Sequence, residues 1–508
     1  MKVTPEVLEK VGSIPEWPGP TGLAKTAADN TLPDHVYNHQ NPEFPASFSQ
    51  LGSCCSAASG IGYCYTYEAN LLKGTPATSA DNLCAYGFIY DFLNNGQDQG
   101  CWYYDAWDIA KKAGCLSKTD FGGVVEDGTK GLGETKWGSG YEGYHNAYAA
   151  CRDSSYYIIK VGTPDGLAKL KRWMFDHGRG DKKGGVAVFS WFASHTFSKI
   201  PAGMPEAGKK IITKVSGGEV TEHAMTFAGY DDRIGTSDQL GALLLQNSWG
   251  ASYGDQGHAW MPYGYLSSSD GVWNKQVYVI EVRKHTVKLD YKVTMTHTQR
   301  NKIQIKIGYA NAANAASAAT TSLIGGGKSI AAFSYCGGAY PLEGKGGSST
   351  IEIGLDATDF YNAMTGSQAT FFLIVTSKGG TGSIDSFSLM DYSSGSQPKE
   401  IPCSQKKTAI ATGTTTLSIP YSKPVVTVKE SPAPSIASGR IKMRGRSIFV
   451  PFGGPSAIAV ADMQGRLIAS FQADKAGWRS LPGVVTKGKY LVTVKNRTAR
   501  ETVSMTLR

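Results

Sequence analysis

The chain has 508 residues, 41% hydrophobic and 18% charged, a composition that excludes a disordered or fibrous protein and implies several domains. Its net charge of +9 is small for that length, and no Lys/Arg run is interleaved with aromatics, so the excess reads as solvated surface and no nucleic-acid partner is expected. No window reaches the roughly 18 apolar residues of a transmembrane helix, so no transmembrane segment is expected either.

Residues 1–43 are rich in Pro, Asn and Asp and read as an N-terminal extension draped over the first folded domain. The opening Met1-Lys-Val-Thr-Pro5 lacks the apolar stretch of a secretory leader. Either the protein stays in the cytosol or a leader has been removed, and the cysteines and domain train favour the second. After Gln50-Leu-Gly-Ser-Cys54 a run of small and apolar residues extends to Leu72 without proline. It predicts a buried helix despite two glycines, with Cys54 in its first turn. Residues 105–114 predict a second helix, and 163–175 a capped amphipathic one. Gly185–Phe192 begins a β-rich half. There 222–230 and 241–247 read as buried strands that carry His223 near a strand start and Asn247 at a strand end.

Cys54, His223 and Asn247 supply a thiol, an imidazole and a side-chain amide, the parts of a Cys-His-Asn nucleophilic site. A free thiol is only a few per cent ionised near neutrality. A helix N-terminus and a neighbouring imidazolium lower its pKa by several units. The blocks Gly52-Ser-Cys54, Thr221-Glu-His223-Ala and Gln246-Asn247-Ser-Trp-Gly250 resemble those of papain-like cysteine peptidases, in the variant of bacterial secreted enzymes. The resemblance implies an α+β two-lobe peptidase over 44–285, a helical lobe facing a β-barrel-like lobe across the cleft. It implies Cys54 as nucleophile, His223 as proton carrier, Asn247 as the group holding the imidazole, and Trp249 as its shield. It also implies Gln50 as the side-chain donor of the oxyanion hole, beside the Cys54 N–H. Three positions depart from the family pattern. Gln50 stands four residues before Cys54 where about six is usual, Cys55 replaces Trp, and Leu51 stands where many relatives have cysteine. Glu222, beside the imidazole, reads equally as a charge that raises its pKa and as an exposed surface carboxylate.

From residue 286 the pattern changes to period-two alternation, as in 287–295, 302–307, 349–353 and 370–376, separated by Gly/Ser/Asn turns. This predicts an all-β sandwich over 286–419. Residues 420–438 read as a Pro/Ser/Val-rich linker. Residues 439–508 read as a small β-sandwich whose Asp462-Met-Gln-Gly465-Arg466 and Gly488-Lys-Tyr490 runs resemble sorting domains of bacterial secreted proteins, those of the type IX pathway included. The expected fold class is therefore multidomain, a papain-like peptidase followed by all-β sandwich domains.

Nine cysteines leave at least one unpaired. Cys336 and Cys403 are the preferred disulfide pair, being alone in their region, while Cys101 and Cys151 resemble positions of family disulfides. A Cys54–Cys55 vicinal bond would silence the nucleophile. The resulting expectation is a secreted or cell-surface cysteine endopeptidase acting on protein or peptide substrates, with no cofactor and no metal. The alternatives are an inactive papain-fold adhesin, with a glycan or cell-surface ligand on its β-domains, and a transpeptidase using the same site.

Overall fold

The computed structural model describes residues 2–20, 32–50, 52–94, 98–122, 136–149, 151–192, 194–215, 218–236, 239–323, 333–395, 397–424, 441–444, 447–450, 455–463, 466–481, 485, 488–495 and 500–507. Leu51, Gly465 and most of the predicted linker lie outside them. The chain divides into two units, Met1–Val425 and Val426–Arg508.

The first unit is organised around one helical column, wound as Cys55–Ala57, a π-type stretch Ala58–Tyr65, and Thr66–Lys73. Its glycines are required by close packing. A Cβ on Gly60 would stand 3.0 Å from the Tyr103 Cβ, and one on Gly62 would stand 2.7 Å from the Phe48 ring. The Trp107 Nε1 donates to the Gly60 carbonyl at 2.8 Å. Gly74, in the left-handed region at φ 68°, ends the column, its N–H returning to the Asn70 carbonyl. Around it pack helices Tyr86–Leu93 and Tyr103–Ala113, and Tyr141–Ala149 lies against the second of these. Helix Pro164–Asp176 starts where the Thr163 hydroxyl accepts the Gly166 N–H, and proline follows at once.

A nine-stranded sheet covers the other side. Its strands are β1 (His35–Tyr37), β2 (Cys151–Lys160), β3 (Ala187–Trp191), β4 (His195–Lys199), β5 (Lys210–Val215), β6 (His223–Gly235), β7 (Leu240–Gln246), β8 (His258–Pro262) and β9 (Gln276–Lys284). The order is β2-β9-β3-β6-β7-β8-β5-β4, with β1 paired to β6. Residues 223–231 of β6 are buried throughout, which is why this strand reads as an unbroken run rather than an alternation. One face meets the helical column; the other meets a cluster built on Trp173, Phe189, Phe227 and Leu245. The N-terminal helix Pro5–Ser13 is tied by Lys10 to Asp108 at 2.6 Å, and Trp17 packs edge-on against Trp173.

Residues 289–422 form two facing sheets. One contains β10 (Leu289–His297), β13 (Thr350–Asp356), β15 (Gly382–Asp391), β16 (Lys399–Pro402) and β17 (Thr408–Ile410). The other contains β11 (Ile303–Ala310), β12 (Thr320–Leu323), β14 (Gln368–Ser377) and β18 (Gly413–Ser422). The Tyr291 hydroxyl crosses between them to the Gly308 and Phe372 carbonyls at 3.0 and 3.2 Å. This sandwich shares its core with the helical part. Phe333 meets Phe92 and Trp137 edge-on with ring centroids 5.1 Å apart, and fully buried Arg300 lies 4.6 Å over the Trp137 ring. Asp290 accepts from His145 at 2.6 Å and from Tyr141 at 3.1 Å, and Arg152 pairs with Asp356 at 2.7 Å.

The second unit has its own aliphatic core, with Ile448, Val450, Ile458, Val460, Val492 and Val494 at its centre. One sheet orders β19 (Lys442–Arg444), β20 (Ser447–Val450) and β23 (Gly477–Ser480). The other orders β22 (Leu467–Ala473), β21 (Ser456–Ala461), β24 (Gly488–Lys495) and β25 (Arg500–Leu507). Asp462 and Arg466 close the β21–β22 turn, the Arg466 N–H and Nε donating to the carboxylate at 2.9 and 3.0 Å.

Among the described residues no cysteines stand at disulfide distance, so the structure forms neither the expected Cys336–Cys403 bridge nor a Cys54–Cys55 one. Cys403 instead points its thiol at the Ser418 carbonyl, and burial raises the Cys336 thiol to about 11. The Cys151 side chain lies outside the described residues. No described helix is long and apolar enough to cross a membrane.

Candidate active site

Cys54 is fully buried and occupies the N-cap position of Cys55–Ala57, one residue before the turn where it was expected, and its carbonyl receives the Ala58 N–H at 2.9 Å. The approach is set by Gly52, at φ 34°, where a Cβ would collide with Asp98 Oδ2 at 2.3 Å. Asp98 accepts from the Ser53 N–H at 2.7 Å and from the Tyr90 hydroxyl at 2.9 Å, clamping the loop that presents the cysteine. Nothing local in Asn94-Asn-Gly-Gln-Asp98 announces that role.

The column is fastened to β6 beside His223. The Ser59 hydroxyl donates to the Ala224 carbonyl at 2.9 Å, and the Thr226 hydroxyl to the Ser59 carbonyl at 3.4 Å. The Cys55 thiol meets the Ala224 backbone, and burial raises its pKa, so it stays protonated. The Cys101 thiol is raised further for the same reason. Cys54 alone among these thiols sits at the helix cap.

His223 opens β6, opposite Trp191 of β3, and is 3% exposed. Its Nε2 lies 2.7 Å from Asn247 Oδ1, which also accepts the Ser248 N–H at 2.7 Å. Two donors on Oδ1 identify it as the oxygen end of the amide, and they assign the imidazole proton to Nε2, leaving Nδ1 as the basic nitrogen. The Trp249 ring stacks on the imidazole at 4.5 Å and 26°, with 39% of the residue exposed, so the indole forms the wall between the bond and solvent. Burial pushes the His223 pKa down to about 4, against the raising effects of the Asn247 bond and the Glu222 charge. The effect foreseen for Glu222 is present in sign and outweighed in size.

Asn247 follows β7, its N–H bound to the Gly257 carbonyl at 3.0 Å. The Tyr63 hydroxyl, from the helical column, and Gln246 Nε2 both reach the Asn247 carbonyl, at 3.2 and 2.7 Å. Gln50 is drawn to the same place. Its N–H donates to the Ser248 carbonyl at 2.8 Å, its Oε1 accepts from the Ser248 hydroxyl at 2.6 Å, and its Nε2 donates to the Gly52 carbonyl at 2.8 Å. One of the two Nε2 hydrogens is thereby used. The structure thus brings the segments of Gln50, Cys54, His223 and Asn247 to one locus. The supporting residues Asp98, Tyr63, Gln246 and Ser248 carry no signal in sequence beyond the adjacency of the last two to Asn247.

The chain is similar to several solved structures. Xylellain, a cysteine protease from Xylella fastidiosa, is 18% identical over 53% of this chain and 91% of that one, with a TM-score of 0.35. Digestive procathepsin L 3 of Tenebrio molitor larval midgut is 14% identical over 54% and 78%, at 0.36. The bromelain protease from Ananas comosus, in complex with the E64 inhibitor, is 14% identical over 49% and 99%, at 0.32. Comparison with known protein families finds no match, and neither does comparison with curated proteins.

Proposed function

We propose that this chain is a papain-like cysteine peptidase acting on protein or peptide substrates. The observation that carries the reading is the 2.7 Å bond from His223 Nε2 to Asn247 Oδ1, made under the Trp249 ring where β6 meets the Cys54 helix. Held this way, the imidazole offers Nδ1 to the thiol. The Cys54 sulfur attacks the scissile carbonyl while its proton moves to His223. The oxyanion is met by the Cys54 N–H and the remaining Gln50 Nε2 hydrogen. His223 then protonates the departing amine, leaving a thioester that water, deprotonated by His223, hydrolyses. Burial favours neutral imidazole, so an imidazolium persists here only beside a thiolate that compensates its charge.

The test is incubation with an epoxide or fluoromethyl-ketone cysteine-peptidase probe, read by intact mass. One adduct is expected, absent in Cys54→Ala and in His223→Ala. No adduct would overturn the reading and move attention to the sandwich as an adhesin-type or glycan-binding surface. Product masses with added amine acceptors separate hydrolysis from transpeptidation.

Export to the medium or cell surface, with 439–508 as a sorting-type domain, is part of the same proposal. It is supported by the separate core of Val426–Arg508, not by disulfides. Deleting 439–508 is expected to leave peptidase activity intact and to retain the enzyme inside the cell, measured by fractionation.

A further inference from the structure

We propose that Tyr253 and His195 extend the Cys-His-Asn site as positioning residues, holding the Asn247 amide through its nitrogen while His223 is held through its oxygen. The inference rests on the peptidase reading above.

With Asn247 Oδ1 taken by His223 and Ser248, its buried Nδ2 has no acceptor at full hydrogen-bond geometry. The Tyr253 ring packs edge-on against the Trp249 shield at 5.8 Å, and its phenol interacts with the Asn247 side chain. The Tyr253 hydroxyl in turn makes a short hydrogen bond with His195 Nε2. The backbone draws the same residues together, since Gly257 N–H donates to the Tyr253 carbonyl at 2.7 Å and the Gly257 carbonyl accepts the Asn247 N–H at 3.0 Å. His195 stacks on Trp191 at 5.5 Å and 10°, and Trp191 is the cross-strand neighbour of His223.

The donors and acceptors run in one direction along this chain. Burial lowers the His195 pKa to about 4 and raises that of Tyr253, so the phenol is the donor and a neutral imidazole the acceptor. The phenol oxygen then keeps a lone pair for Asn247 Nδ2. The proton of that neutral imidazole is then on His195 Nδ1. An amide anchored at both ends cannot turn its nitrogen toward His223, so the tautomer with a basic Nδ1 is the one maintained. Without the anchor, a flipped Asn247 would present a donor to Nε2 and favour the tautomer unable to deprotonate Cys54.

The experiment is steady-state hydrolysis of a fluorogenic peptide amide by full-length Tyr253→Phe, His195→Leu, His195→Gln and the Tyr253→Phe/His195→Leu double variant, after probe labelling of the parent enzyme. A parent that takes no probe sinks the peptidase reading itself. Given a labelled, active parent, Tyr253→Phe is expected to lower kcat about 10-fold with KM within twofold. His195→Leu should behave alike, and His195→Gln, which keeps an acceptor, should recover most of the loss. The double variant should be no worse than Tyr253→Phe, because the two residues act as one unit. Parental kcat in Tyr253→Phe, a loss falling on KM, or multiplying losses in the double variant would overturn the proposal. Should Tyr253→Phe misfold, the contrast between His195→Leu and His195→Gln decides it alone.

Discussion

His223 and His177 are buried almost equally, 3% and 5% exposed, yet the protein treats their protons in opposite ways. His177 ends helix Pro164–Asp176 in the left-handed region, with its Nε2 3.0 Å from Glu68 and its Nδ1 3.1 Å from Asp181. Burial lowers its pKa, but these two carboxylates outweigh it and hold the group at about 9. His223 faces an amide, an indole and a backbone, and burial carries it to about 4. The ion pair is a structural tie between the helical column and the turn after the helix. The His223 imidazole, with an amide as its hydrogen-bond partner, stays uncharged near neutrality. Burial by itself does not decide a histidine's charge; the charge of the groups that share its cavity does.

The largest effect that would sharpen this contrast is on chemistry. His223→Ala is expected to lower kcat by about 10⁴-fold, while His177→Gln leaves probe labelling of Cys54 within twofold, both measured on folded protein. Next comes Glu68→Gln, which leaves the buried imidazolium with Asp181 as its only carboxylate partner and should cost about 3 kcal/mol in urea unfolding at pH 7. The pH profiles should then run in opposite directions. His177, raised in the folded state, contributes stability fully present below its unfolded pKa of about 6.5 and lost as pH rises through about 9. His223, depressed, contributes stability present above 6.5 and lost as pH falls toward about 4. Each amounts to about 3 kcal/mol, and His177→Gln should flatten the alkaline limb and His223→Gln the acid limb of stability against pH. Equal flattening of both limbs by one variant would break the comparison. Smaller is Trp249→Ala, which admits water to the imidazole. The His223 pKa should rise toward its ordinary value by NMR titration, and kcat should fall about 10-fold. Smallest is Glu222→Gln, an exposed charge whose removal should lower the His223 pKa only slightly.

Much of this was open to reading along the chain. Cys54, His223 and Asn247 stand out through the resemblance of their three sequence blocks to those of papain-like peptidases, and each block lies in a run whose local pattern reads as a helix start, a strand or a strand end. The alternating strands after 286 were legible from period two, and the Thr163-Pro164 cap from its side chain and imino ring. The cysteines misled, because spacing along the chain says nothing about the distance between Cys336 and Cys403 once strands have folded.

The sequence by itself determined the elements and the residue types that could carry the chemistry, since periodicity, caps and turns act over a few residues. Tertiary structure alone decided that residues 289–422 close their core over Phe92 and Trp137. It also decided that Asp98 clamps the Cys54 loop, that Gln50 leans on Ser248, and that the Tyr253 hydroxyl meets His195. The physical reason is common to all four. Each joins groups tens to hundreds of residues apart, and the burial and neighbouring charge that set their hydrogen bonds and protons exist only after the chain has closed on itself.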